Sequence, residues 1–211
     1  LVVSANLGDD GTALPPAYQD SRELPTACGA DAPPPNAATT YPSAADQALD
    51  APITAVLETS CGDITLTLDP SAAPQTVNSF VFLAREGFYD GTIFHRIMPG
   101  FMIQGGDPLA SGFGDSGYAL PDEFPPGDFV YERGVVAMAN SGRGTTGSQF
   151  FIVIGADAAS LSNTYTVIGT VGAGDETLDR ISSVPLTVRT GTTELSKPSE
   201  TVYLERVTIT E

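Results

Sequence analysis

A chain of 211 residues with 41% apolar side chains can bury one good core, or at most two small ones. Its net charge of −17, from 26 acidic against nine basic residues, repels phosphate backbones, so no nucleic acid is expected as a partner; such a surface suits basic or neutral partners, or simply solubility. No apolar run approaches the ~20 residues of a membrane span. No signal-peptide core follows Leu1-Val2-Val3, so any leader would lie upstream. Two cysteines and one histidine are too few for a structural zinc site, and neither metal nor cofactor is expected.

Residues 1–50 are rich in Ala, Pro, Asp and Thr and show no periodicity. Pro15-Pro16 and Pro33-Pro34-Pro35 favour extended polyproline backbone. We read 1–50 as an irregular extension or linker that runs over the surface of a compact domain at 51–211. Cys28 lies in the extension and Cys61 in the domain. They read either as a disulfide that pins the extension, implying an oxidising compartment, or as two unrelated buried thiols. The absence of any other anchor near Cys28 favours the disulfide.

Residues 53–58 and 63–68 alternate apolar and polar side chains around the turn Ser60-Cys61-Gly62-Asp63, which predicts a hairpin. Pro74 opens a helix whose Val77, Phe80, Val81 and Ala84 share one apolar face, and Gly87 suits its end. A turn at Asp90-Gly91 leads to a strand over 92–98, and 105–128 reads mostly as loop. Strands are predicted at 134–139, 149–154, 165–171 and 201–210, and a short helix at 175–183. Many short strands with two short helices argue for a mainly β barrel rather than an α/β sheet.

Two stretches carry the chemistry. The first is Phe94-His95-Arg96-Ile97-Met98-Pro99-Gly100-Phe101-Met102-Ile103-Gln104-Gly105-Gly106-Asp107-Pro108. The second is Met138-Ala139-Asn140-Ser141-Gly142, followed by Gly147-Ser148-Gln149-Phe150-Phe151-Ile152. Arg96 is a permanent donor set among apolar side chains. By itself it reads equally as a surface ion pair, given so many carboxylates; its setting favours function. Phe101, Met102, Phe151 and Leu161 can wall a small apolar pocket, or simply be core. Gln104, Gln149 and the backbone of Ala139 and Asn140 can fix peptide groups. His95 neighbours Arg96 along a strand, so it should point the other way and pack. Asp107 reads as a turn residue.

Other motifs mislead. Gly142-Arg143-Gly144-Thr145-Thr146-Gly147 matches a dinucleotide fingerprint, but a strand follows it instead of a helix. Gly114-Asp115-Ser116-Gly117 looks like a serine-protease nucleophile loop, yet the lone histidine is in no position for a triad.

The two central stretches closely resemble the signature of the cyclophilin family of peptidyl-prolyl cis-trans isomerases, over roughly 53–211. The resemblance implies an eight-stranded antiparallel β-barrel capped by two α-helices, with a proline groove on its outer face and no cofactor. It maps the catalytic arginine to Arg96, the pocket to Phe101, Met102, Phe151 and Leu161, and backbone contacts to Gln104, Ala139, Asn140 and Gln149. Tyr165 stands where many members have a histidine bordering the pocket. Many members also carry a tryptophan where this chain has Ser160, so weak cyclosporin binding is expected. Implied partners are proline-containing polypeptides. The extension, the paired cysteines and the acidic surface look like secreted or envelope-attached bacterial members, and the family is mostly monomeric. A second reading is a proline-peptide binding module or chaperone with incidental turnover.

Overall fold

Pro16 takes the first position of a helix, where its missing N–H costs nothing. In the computed structural model, which describes residues 13–210, helix α1 (Pro16–Arg22) forms within the extension read as irregular. Residues 1–12, the start of that extension, and Glu211 lie outside the described residues. α1 is too short to stand alone. Tertiary contacts hold it instead. Tyr18 is fully buried, donates from its hydroxyl to the Gly91 carbonyl (2.6 Å) and accepts from the Asn36 N–H (3.0 Å). The Asn36 side-chain amide donates to the carbonyls of Phe88 and Asp90, both at 2.9 Å. Further along, Ala27 N–H donates to Thr201 O and Thr201 N–H to Pro25 O. Cys28 and Cys61 are joined as a disulfide, with Cα atoms 5.2 Å apart.

The expected hairpin is present. β1 (Ile53–Thr59) pairs antiparallel with β2 (Gly62–Leu68), and Ile53, Ala55, Leu57, Ile64, Leu66 and Leu68 are buried on one face. α2 (Pro74–Arg85) follows, with Val77, Phe80, Val81 and Ala84 buried as the spacing predicts.

The strand expected over 92–98 is two pieces, β3 (Thr92–Ile93) and β4 (Arg96–Met98). The remaining strands are β5 (Met102–Gly105), β6 (Val135–Met138), β7 (Phe150–Val153), β8 (Val167–Ala173), β9 (Leu186–Val188), β10 (Leu195–Pro198) and β11 (Tyr203–Thr210), with α3 (Asp175–Ser182) between β8 and β9. Nine strands form one antiparallel sheet in the order β3-β11-β1-β2-β8-β6-β7-β5-β4. Its two edge strands are separated in the chain only by Phe94 and His95, so the sheet must curl back on itself. A bridge between Ile93 and Asp107 ties the seam. Counting β3 and β4 as the one strand the sequence suggests leaves the eight of the expected barrel. β9 and β10 form a separate two-stranded ribbon.

Candidate active site

The site exists because several strands are apolar on both faces. Inside the barrel Ile97, Ile103, Val136, Met138, Phe150 and Ile152 join the main core with α2. Alternate residues point outward. There Met102, Ala137, Phe151 and Val153 form a second apolar cluster with Tyr131, Val135 and Ala158. Met98, Phe101, Ala139, Leu161 and Tyr165 pack against it while staying partly exposed. Every apolar side chain expected at the pocket therefore falls in this outer cluster. The Phe151 and Tyr165 rings meet edge to face at 5.5 Å, and Tyr131 donates from its hydroxyl to the Tyr165 carbonyl at 2.8 Å.

The loop after β4 delivers Phe101. Gly100 has φ +84°, and Gly155 approaches it so closely that a Cβ on Gly155 would stand 2.1 Å from the Gly100 carbonyl. Hydrogen bonds from Ile154 N–H to Phe101 O (2.9 Å) and from Asp157 N–H to Gly100 O (3.0 Å) lock the two loops together.

Arg96 and Gln104 are direct partners across β4 and β5, on the outward face. A chain of polar contacts runs from them. Arg96 donates through Nη1 to Gln104 Oε1 at 3.4 Å, Gln104 Nε2 donates to Gln149 Oε1 at 2.9 Å, and Gln149 Nε2 donates to the Gly114 carbonyl at 2.8 Å. With a pure donor at one end and a pure acceptor at the other, the orientation of both amides is determined. The loop bringing in Gly114 is organised by Asp107, which is fully buried and accepts from the N–H groups of Leu109, Ser111 and Gly112.

Arg96 also forms the ion pair that the alternative reading anticipated. Its Nε donates to Glu194 Oε1 at 2.7 Å and its Nη2 to Oε2 at 2.6 Å. Among the described residues three of its five N–H groups are thus engaged, leaving one without a partner there on each terminal nitrogen. Glu194 was not among the residues expected here. The Arg96 hydrogen bonds hold its carboxyl down at about 2.

Ala139 donates its N–H to the Gln149 carbonyl, at 2.9 Å. The Asn140 side chain caps its own loop, donating to Thr164 O at 2.8 Å and accepting from Gly142 N–H at 3.1 Å. His95 is buried, with neither ring nitrogen hydrogen-bonded among the described residues; burial presses its pKa down to about 4. Of the misleading motifs, 142–147 is loop leading towards β7, and Ser116 is fully buried.

The sequence model of the family described as cyclophilin type peptidyl-prolyl cis-trans isomerase/CLD matches residues 54–209. The chain belongs to this family. Among its relatives, peptidyl-prolyl cis-trans isomerase B of Streptomyces anulatus is 41% identical over 172 residues, covering 74% of this chain and 95% of that protein. Peptidyl-prolyl cis-trans isomerase A of Mycobacterium tuberculosis is 39% identical, covering 74% and 91%. A solved cyclophilin type peptidyl-prolyl cis-trans isomerase of Cryptosporidium parvum superposes with TM-score 0.68 at 30% identity, covering 76% of this chain and 98% of that one. The same protein solved in the presence of the dipeptide Ala-Pro gives TM-score 0.67 at 31% identity, covering 75% and 99%. The matched span in this cyclophilin contains both the outer apolar cluster and Arg96.

Proposed function

We propose that this cyclophilin accelerates rotation about X-Pro bonds in other polypeptides, with Arg96 as the donor that the twisting bond needs. The amide is held planar by resonance, with a barrier of ~18–20 kcal/mol. As it twists, the proline nitrogen regains its lone pair. A hydrogen bond to that nitrogen is stronger in the twisted than in the planar state, which is the condition for catalysis. No nucleophile or general base is required.

One observation carries the reading: an always-charged guanidinium, with two N–H groups unpartnered among the described residues, stands at the edge of an outward-facing apolar cluster. Phe101, Met102, Phe151 and Leu161, bordered by Tyr165, would grip the proline ring. Gln104, Gln149, the Ala139 carbonyl and the Asn140 backbone would hold the flanking peptide groups. The 51–211 domain would do this alone, with the described part of the 1–50 extension, residues 13–50, as its strap. The Cys28–Cys61 disulfide supports work in an oxidising compartment, extracellular or in a bacterial envelope, as a folding catalyst. No helix among the described residues is long and apolar enough to cross a membrane. The acidic surface supports a monomer by mutual repulsion.

The test is isomerisation of a short Ala-Pro peptide by NMR exchange, for wild type and Arg96→Ala. We expect roughly a 10²-fold loss in the variant, with peptide binding retained. Peptide binding without acceleration by a folded wild type would favour the binding-module reading instead.

A further inference from the structure

Glu194 reaches Arg96 from the turn of the ribbon formed by β9 and β10, 98 positions away in the chain. The turn is built to present it. The Glu194 carbonyl accepts from Arg189 N–H at 2.8 Å, and its N–H donates to Thr192 Oγ1 at 3.1 Å. Ser196, fully buried, donates its hydroxyl to Glu194 Oε1 at 2.5 Å, so that oxygen is held from two sides. Arg189 Nη2 donates to the Ser111 carbonyl at 3.3 Å, tying the turn to the loop that carries Gly114.

An arginine side chain has several rotatable bonds and a large rotamer entropy. A two-point pairing with a carboxylate fixes the plane of its guanidinium as well as its position. Here the pairing occupies the Nε–Nη2 edge and leaves Nη1 turned towards Gln104. We propose that Glu194 is the positioning residue for Arg96, clamping the rear edge of the guanidinium so that its free N–H groups stay aimed at the groove. This rests on the reading of Arg96 as the donor to the proline nitrogen. The Arg96 hydrogen bonds first, and then the Ser196 hydroxyl, oppose burial and keep the Glu194 carboxyl at about 2, so the clamp is charged throughout the working pH range.

The opposite role for the same contact is a cap that withholds Arg96 from substrate. The two roles predict opposite signs. A clamp lost in Glu194→Ala lowers kcat roughly tenfold with KM nearly unchanged, because misdirection costs the twisted state more than the bound one. Glu194→Gln, which keeps the size and one acceptor, restores part of that loss. A cap lost in Glu194→Ala raises the rate or lowers KM. Thr193→Ala, an exposed neighbour on the same turn, serves as the control and should leave the rate unchanged.

The second readout needs no turnover. The Arg96 Nε–H proton, assigned by its loss in Arg96→Ala, should give a slowly exchanging NMR signal in wild type that vanishes in Glu194→Ala. An active wild type silenced by Arg96→Ala but unaffected or accelerated by Glu194→Ala overturns the clamp and leaves the isomerase reading intact. A wild type no faster than Arg96→Ala overturns the isomerase reading, and the clamp as a catalytic device with it. The NMR signal still reports whether the pair forms in solution; its absence from wild type also overturns the clamp.

Discussion

Phe150 and Phe151 are neighbours on β7 and belong to different apolar clusters. Phe150 faces into the barrel, with ring centroids 5.6 Å from Phe80, 5.8 Å from Tyr89 and 6.1 Å from Phe94. Phe151 faces out, 5.5 Å from Tyr165. The same truncation should therefore read out differently at the two positions. Phe150→Ala should cost roughly 3–5 kcal/mol of stability. Phe151→Ala should cost less stability, since its cluster is bordered by partly exposed side chains, and, as a wall of the proposed pocket, should lower kcat/KM for an Ala-Pro peptide by about tenfold or more. Urea unfolding and peptide exchange on both variants check this; equal stability losses with equal activity would show that the outer cluster is only core.

The Cys28–Cys61 bond closes a segment of 33 positions and holds the strap at its middle. Closing a loop of that length is worth about 3–4 kcal/mol by the chain-entropy estimate. The Cys28→Ser/Cys61→Ser double variant should therefore unfold at lower urea concentration by about that amount. The proposed groove lies on β4, β5 and β7, away in the sheet from the β1–β2 turn that carries Cys61, so its isomerase rate below the transition should stay close to wild type. A double variant as stable as wild type would mean that Tyr18, Asn36 and the Thr201 contacts hold the strap unaided.

The barrel was legible in the sequence where one face is wet. β1 and β2 alternate, and α2 shows its apolar stripe. β7 reads as an unbroken apolar run because both its faces are covered, which gives a strand but hides the outer cluster. The seam between β3 and β4 was not legible, because a change of strand neighbour leaves no mark on composition. β5 has four residues, and in the ribbon Val188 and Leu195 are exposed, so neither offers a periodic signal. α1 has almost no propensity signal; the burial of Tyr18 decides it. Arg96, Gln104 and Gln149 could be picked out by their apolar surroundings and by family resemblance. Glu194 could not: it is one of 26 acidic residues, and nothing local links it to a strand 98 positions earlier.

Ser160 ends a short 3₁₀ turn next to Leu161, is exposed, and donates its hydroxyl to the Asp157 carbonyl at 2.9 Å. It offers a macrocycle no large apolar face and no indole N–H. Cyclosporin should bind weakly, with a Kd above about 100 nM, equivalent to less than about 9.5 kcal/mol. Ser160→Trp should tighten it by adding an amphipathic ring, while peptide isomerisation changes little. Calorimetry on both proteins decides; wild-type binding tighter than that limit would mean the neighbouring Leu161 and Phe151 suffice.

His95 makes stability depend on pH in a definite direction. It is buried close to Gly112, with both ring nitrogens unpartnered among the described residues, and burial lowers its pKa from 6.5 to about 4. Asp107 pulls the other way, while Arg189 and Arg96 add to the depression. Below pH 6.5 the unfolded chain takes up a proton that the native protein refuses. Stability is therefore full above that pH, falls as pH drops towards about 4, and changes no further from this group below it. Between pH 7.5 and 5, where most carboxylates are still charged, the loss should be on the order of 2 kcal/mol. His95→Phe removes the titration. Its unfolding free energy should stay flatter over that interval than the wild type's, whatever its absolute value. Parallel curves for the two proteins would show that His95 finds a proton partner in solution and does not control the acid limb.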